Sequence, residues 1–228
     1  MFWGCPNLTS FCGDLSSLTD GNYMFWGCPN LTSFTSDLSS LTNGEYMFDN
    51  CSKLTSFSAD LSSLEDGSYM FCYCNKLQLN ELKLPNLKNG HMMFNACDCI
   101  TSYTGDFPKL VSGSDMFNYC IGLKTFSGDL SSLEDGSGMF SICRNLTSFT
   151  SDLSSLTNGE GMFIDCKLDT ASVQNIADTI NTPSSKGTIH ISIGNNTINS
   201  QEEAAFNTIA SRNWTVYVST PSGYQSQW

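Results

Sequence analysis

The pair Met-Phe recurs at Met1, Met24, Met47, Met70, Met93, Met116, Met139 and Met162, always at one interval (24 − 1 = 23). A fixed period in the twenties predicts a repeat solenoid, in which one short supersecondary unit stacks on the next because no unit buries its apolar face alone. The function of such a chain belongs to a surface rather than to a pocket.

In the frame of the first copy the unit reads Met-Phe-x-x-Cys-x-x-Leu-Thr-Ser-Phe-x-x-Asp-Leu-Ser-Ser-Leu-x-Asx-Gly-x-x. Each apolar letter forms a column. One is Cys5, Cys28, Cys51, Cys74, Cys97, Cys120, Cys143 and Cys166; others are Leu8, Leu31 and Leu54 with their successors, and Phe11, Phe34, Phe57, Asn80, Tyr103, Phe126 and Phe149. These columns point inward. Leu8-Thr9-Ser10-Phe11 is too short for a helix and is β-compatible, so its copies predict a parallel sheet with rungs about 4.8 Å apart. Asp14 directly before Leu15-Ser16-Ser17-Leu18 predicts the N-cap of one helical turn. Asp20-Gly21, Asn43-Gly44 and Asp66-Gly67 predict where that turn stops, with Gly at positive φ.

Phe2, Cys5, Leu8, Phe11 and Gly21 resemble the Ala/Met-Phe-x-x-Cys-x-x-Leu-x-x-Ile…Gly pattern of BspA-like leucine-rich repeats. Asp37-Leu38-Ser39-Ser40-Leu41-Thr42-Asn43 followed by Met47-Phe48 is similar to the bacterial surface protein variant of that repeat. The unit is shorter than that variant, and it lacks the Leu-x-Leu-x-x-Asn core of the commonest leucine-rich repeats. The resemblance covers residues 1–168. It implies a leucine-rich-repeat-like stack and a non-enzymatic binding module of secreted or surface adhesins, bacterial, protist or phage-encoded, without naming a ligand.

Residues 75–110 are the irregular part. Asn80 stands in the Phe11 column, Lys83 stands in the Asp14 column, and Pro85 and Pro108 occupy the serine position, expected as N1 of the helical turn. After Cys166 the frame ends. Thr170 precedes Val173, Ile176, Ala177 and Ile180, a capped amphipathic helix, and residues 188–193 alternate as a strand with isoleucines inward. Ser200-Gln201-Glu202-Glu203 reads as a capping box for a second helix, followed by a strand over residues 214–218. The predicted organisation is therefore a solenoid over 1–168, an α/β capping segment over 169–218 that continues the sheet and covers its last rung, and a loose polar tail over 219–228. Because Met1 stands in register with the repeat, the expectation is a fragment whose earlier units are missing, with a partner closing the first rung as the other reading.

Ten Lys and Arg against 22 Asp and Glu, a net charge of −12, disfavour nucleic acid and anionic membrane, and no segment predicts membrane insertion. Eight of the eleven cysteines occupy one inward column and read as a ladder of free thiols, with no metal and no cofactor expected. His91 in a turn and His190 on an outward strand position read as solvated, so no catalytic residue and no enzyme is predicted. The Asp14, Asp37 and Asp60 column could stack as calcium ligands, but turn capping explains why each precedes Leu-Ser-Ser-Leu.

Two surface features remain. Small hydroxyls flank the inward Phe (Thr9, Ser10, Thr32, Ser33, Thr55, Ser56), predicting a flat polar sheet face. Tyr23, Tyr46 and Tyr69 share one column, and Trp3 and Trp26 share another, where later units carry Asp115, Gly138 and Gly161 in the tyrosine column. These five rings are the candidate binding residues, as an exposed or subunit-facing ridge. Two functions follow: an extracellular, cell-surface or virion-surface recognition module binding a host protein or glycan, or a structural spacer or assembly element that contacts like subunits.

Overall fold

The computed structural model describes residues 2–79, 81–223 and 225–228. The chain folds as a repeat solenoid. Its first side carries short strands β1 (Ser10–Phe11), β2 (Ser33–Thr35) and β3 (Ser56–Ser58) in one parallel sheet, and β4 (Ser102–Tyr103), β5 (Thr125–Phe126) and β6 (Ser148–Phe149) in another. Pairing is in register at one period, Ser10 with Ser33 and Ser33 with Ser56. Asn80, which stands in the Phe11 column of the sequence, lies outside the described residues, as does Met1.

A second ladder does not break. Single parallel bridges join Asp20, Asn43, Asp66, Asn89, Ser112, Asp135 and Asn158 in succession. Two Asx pairs in this ladder are also linked through their side chains: Asn89 Nδ2 donates to Asp66 Oδ2 at 3.2 Å and Asn158 Nδ2 to Asp135 Oδ1 at 3.0 Å. Alternating Asp with Asn along much of the column puts an amide beside each of these carboxylates, where a run of aspartates one rung apart would repel.

The Leu-Ser-Ser-Leu segments are β-turns, not helical turns. Leu41 N donates to Leu38 O at 2.9 Å, closing a four-residue turn, and Thr42 N, which a helix would have aimed at Leu38 O, donates to Thr19 O of the preceding unit at 2.9 Å. Bonds between units thus take the donor that a helix would need. Asp37 Oδ1 accepts from Ser39 N at 2.8 Å, two residues on, which is an Asx-turn rather than an N-cap. Pro85 sits at the second position of such a turn, closed by Leu87 N on Leu84 O at 3.2 Å, and not at a helix start.

The glycine column also differs from expectation. Gly21 and Gly44 are not among the positive-φ residues. They are small because a Cβ on Gly21 would lie 2.9 Å from Met47 Sδ and 3.1 Å from Leu41 Cδ1 of the next unit. Left-handed backbone falls instead on two columns either side of Met-Phe. One is Tyr23, Tyr46, Tyr69, Met92, Asp115, Gly138 and Gly161; the other runs from Gly4 and Gly27 through Asn50, Tyr73, Ala96, Tyr119 and Ile142 to Asp165. Each is the third residue of a turn: Met47 N donates to Gly44 O at 3.0 Å around Tyr46, and Cys51 N to Phe48 O at 3.0 Å around Asn50. Positive φ at that position is what a type II turn requires. Two such turns let Met47 and Phe48, adjacent in sequence, both reach the core, where each is fully buried.

The core is a set of ladders. Phe2, Phe25, Phe48, Phe71, Phe94, Phe117, Phe140 and Phe163 stack in offset array, the first pair 5.2 Å apart at 3° and the last 5.6 Å at 6°. The Phe34 column meets them edge-on. In the cysteine column each thiol from Cys28 onward donates to a phenylalanine carbonyl, Cys51 Sγ to Phe25 O at 3.3 Å and Cys143 Sγ to Phe117 O at 3.0 Å. All eleven cysteines are free, and the column is buried from Cys28 to Cys166.

Beyond the last unit, β7 (Gly159–Leu168), β8 (Gly187–Ile193) and β9 (Trp214–Ser219) run parallel, and β10 (Gln225–Gln227) pairs antiparallel with β9. This sheet extends the Met-Phe side of the solenoid rather than the Ser-Phe side. On the latter, helix α1 (Thr170–Thr179) lies over β6, where Ser172 Oγ accepts from Phe149 N at 2.9 Å. Its N-cap is Asp169 rather than Thr170, and helix α2 (Ser200–Ser211) is capped by Asn199 in a box with Glu202, one residue ahead of the expected Ser200 and Glu203. Thr170 Oγ1 instead donates to the fully buried Glu202, at 2.8 Å, and Arg212 Nη1 caps α1 through Ala177 O and Ile180 O, both 2.7 Å. The terminal segment is not simply loose, since β10 is paired and Trp228 packs on Phe206 with centroids 5.1 Å apart.

Burial is graded along the stack. Leu18 in the first unit is partly exposed, whereas Leu64 is fully buried. Leu64→Ala is expected to cost about 2–5 kcal/mol in urea unfolding, and Leu18→Ala less than half of that. The thiol column adds a pH dependence. Burial, the largest cause, pushes Cys51 up to about 12 and Cys74 and Cys97 well above the usual thiol range. A raised thiol pKa leaves stability intact below the unfolded value, about 8.5, and removes about 1.4 kcal/mol per thiol for each pH unit above it. Circular dichroism at stepped alkaline pH should record a cooperative loss of structure above that value, displaced to higher pH in Cys51→Ala and Cys74→Ala.

Candidate recognition surface

The five predicted rings fall on the side where Met-Phe turns the chain inward, and they gather into two stacks. Tyr23 and Tyr46 lie face to face, 4.7 Å apart at 6°, and Tyr46 and Tyr69 follow at 4.3 Å and 11°. Tyr23 is 42% exposed, and Tyr46 and Tyr69 are half-buried by their neighbours. Burial first, then the adjacent Tyr69, push the Tyr46 hydroxyl up to about 12, so this middle ring is uncharged at neutral pH. Trp3 and Trp26 form the second stack, edge to face at 5.7 Å. Rings touch within a column, and among the described residues no Tyr ring meets a Trp ring.

The two tryptophans differ in kind. Trp3 is 67% exposed. Trp26 Nε1 donates to Asp49 Oδ2 at 2.8 Å, and Asn50 Nδ2 satisfies the other carboxylate oxygen at 2.9 Å. Burial raises the pKa of Asp49, against the lowering effect of those donors. Trp26 is therefore structural as well as partly exposed.

Sequence reasoning missed the continuation of this surface. His91 is not simply solvated: Tyr69 Oη lies 3.0 Å from its Nε2, and its Nδ1 lies 2.6 Å from Ser114 Oγ and 3.1 Å from Ser114 O, which extends the tyrosine stack to the fifth unit. His190 is half-buried, its Nδ1 accepting from Gly161 N at 2.9 Å. Tyr73 and Tyr119, 50% and 49% exposed, stand in the second left-handed column. Trp26, Gly27, Asn50 and Tyr73 line a shallow groove of about 600 Å³ that crosses successive units. The signal for these was present in the Gly4, Gly27 and Asn50 column, since those residue types favour positive φ.

The hydroxyl face is less available than its composition suggests. Thr32 Oγ1 donates to Thr9 O and Thr55 Oγ1 to Thr32 O, both at 3.0 Å, so these donors are spent between units. Among the described residues no three His, Cys, Asp or Glu side chains gather as a metal site, and no helix is long and apolar enough to cross a membrane.

The BspA-type leucine-rich-repeat region matches residues 1–124 and 93–192, in six copies. The chain belongs to the BspA-type leucine-rich-repeat family. A comparison with curated proteins finds no match. BspA-type repeats are in general a non-enzymatic binding or scaffold module, typical of bacterial surface proteins.

Removing the indole N–H of this BspA-type chain leaves one oxygen of the buried Asp49 carboxylate without its donor, so Trp26→Phe should cost about 1–3 kcal/mol. Trp3→Ala, at an exposed position, should stay within about 0.5 kcal/mol of the parent. Urea unfolding of both variants measures the contrast.

Proposed function

We propose that this chain is a non-enzymatic recognition module, displayed extracellularly or on a cell or virion surface, that binds a host protein or glycan along the side carrying Trp3, Tyr23, Trp26, Tyr46 and Tyr69. In this reading each 23-residue unit is one coil, and residues 169–218 cap the stack. The observation that supports it best is the tyrosine column: Tyr23, Tyr46 and Tyr69 sit at φ of 54°, 55° and 58° where Gly138 and Gly161 occupy the same place later. Left-handed backbone costs a residue with a Cβ about 1–2 kcal/mol. Ring stacking returns about 0.5–1.5 kcal/mol per pair, so the fold gains little from tyrosine over glycine there. Large, rigid amphipathic rings with no net structural benefit are what binding anchors look like.

A second reading, an assembly element contacting like subunits, draws support from the exposed rings outside the tyrosine stack, Trp3, Tyr73 and Tyr119. The two readings separate on one pair of variants. Tyr46→Gly and Tyr69→Gly should each shift stability by less than about 1 kcal/mol, because relieved strain offsets lost stacking. Each should weaken attachment to host cells or matrix by about 1–3 kcal/mol, read as retention on a glycan and host-protein array. Loss of self-association in sedimentation with attachment intact supports the assembly reading, and a large loss of stability would return the rings to the core.

A further inference from the structure

Trp26, Tyr73 and Tyr119 stand on the Met-Phe side in the second, fourth and sixth units. Between them the second left-handed column carries only small side chains, Asn50 and Ala96, so ring alternates with notch along the stack. The first notch is the groove of about 600 Å³ that Trp26, Gly27, Asn50, Ser52 and Tyr73 line. Tyr73 and Tyr119 hold φ of 57° and 61° and are exposed. Unlike Tyr46 and Tyr69, neither ring stacks on another, and neither hydroxyl has a hydrogen-bond partner among the described residues. Nothing within the chain therefore offsets the backbone strain at these two positions, and strain of that kind points to a surface in use.

Spacing and charge together select the occupant. Successive rings are two rungs apart, about 9.6 Å. A polyproline II helix repeats every three residues, about 9.3 Å, and its carbonyls are free because it has no internal hydrogen bonds. An α-helix repeats at about 5.4 Å and one face of a β-strand at about 6.7 Å, so neither keeps step with the rings. Residues 21–29, 44–52, 67–75, 90–98 and 113–121, which carry this surface, include Glu45, Asp49, Asp98 and Asp115 but no Lys or Arg. Lys53 and Lys76 stand one residue beyond it, toward the Trp26 end, where Lys53 Nζ donates to Asn30 Oδ1 at 2.7 Å. At the Tyr119 end neither Asp98 nor Asp115 is in a salt bridge among the described residues. A chain of net charge −12 with unpaired carboxylates beside open aromatic faces attracts a cation to that end.

We infer that the row of Trp26, Tyr73 and Tyr119 binds a single-chain, proline-rich peptide in polyproline II form, lying along the stack with a basic residue toward Tyr119. One residue in three drops into a notch, and the phenol hydroxyls donate to peptide carbonyls at the same period. Aromatic-lined grooves suit such a segment because it loses little conformational entropy on docking. The inference rests on the Met-Phe side being the recognition side, and it narrows the partner there to a protein with a basic, proline-rich stretch.

The test is titration calorimetry of the full chain with an acetylated peptide of repeated Ala-Pro-Pro closed by arginine, about twelve residues and about 37 Å long. Binding in the micromolar range is expected. The same peptide with glycine for proline should bind at least about tenfold more weakly, and with glutamate for arginine about fivefold more weakly. Tyr73→Gly and Tyr119→Gly, which relieve strain and so keep the fold, should each weaken binding about five- to thirtyfold. Ala96→Tyr, which fills the notch between those rings with a residue the column already accepts, should block it. Tyr46→Gly should leave peptide affinity unaltered. The inference is overturned if the proline peptide does not bind, if the glycine peptide binds as well, if only a collagen-like triple helix binds, or if Tyr73→Gly and Tyr119→Gly change nothing. Any of these results with host attachment still lost in Tyr46→Gly would overturn the peptide and leave the recognition side standing.

Discussion

Every unit in this molecule depends on backbone groups it cannot satisfy alone. Phe25 N donates to Met47 O of the following unit, and Thr32 N and Thr42 N donate to Thr9 O and Thr19 O of the preceding one, all at 2.9 Å. Buried amides must find a partner, and here the partner stands one period away. That requirement fixes the register, and the register sets everything inside it. Phenylalanines stack on phenylalanines, thiols donate to the same carbonyl in successive units, and a glycine column leaves room for the sulfur of a methionine that opens a later unit. A slip by one residue would break all these ladders together, which is why a unit without helices and with strands of two or three residues still specifies one structure.

The same demand explains which parts of the fold were legible in the sequence. Inward columns could be read, because burial imposes identity at a fixed period: Cys28, Leu31 and Phe34 are buried along with their counterparts. Turn chemistry could not, because a motif such as Asp-Leu-Ser-Ser-Leu is compatible with a capped helix until one knows that Thr42 N is already committed to Thr19 O. Local pattern records what a segment prefers and is silent about a competing bond from 23 residues away. The glycine after Asp or Asn was misread for a related reason: a small residue serves either positive φ or close approach, and only the position of Met47 tells them apart.

On the side proposed for recognition the five rings stack within their columns, but their separate structural roles were not legible by sequence. Trp3 and Trp26 share a column and look equivalent. Asp49, in the same column one unit on, holds the Trp26 indole and makes it part of the buried network. His91 and His190, read as solvated, are both engaged, one by Tyr69 and Ser114 and the other by Gly161. Their partners lie 22, 23 and 29 residues away, beyond any local motif.

Left-handed backbone ties architecture to surface. Eleven residues other than glycine hold positive φ in the two columns beside Met-Phe. Turning the chain twice within a few residues demands that geometry, and glycine would supply it without strain. Where Asn50, Asp115 or Asp165 stands, the short polar side chain tolerates the conformation. Tyr23, Tyr46, Tyr69, Tyr73 and Tyr119 have no such excuse, and each spends roughly 1–2 kcal/mol of the stability that the ladders provide. Strain of this kind persists only where surrounding structure over-determines the backbone, and an observed cluster of it is a reason to look for function at that place. The ladders allow the strain and the exposed rings occupy it, so the turn columns, rather than the flat hydroxyl face, are where this solenoid can vary its surface without altering its stack.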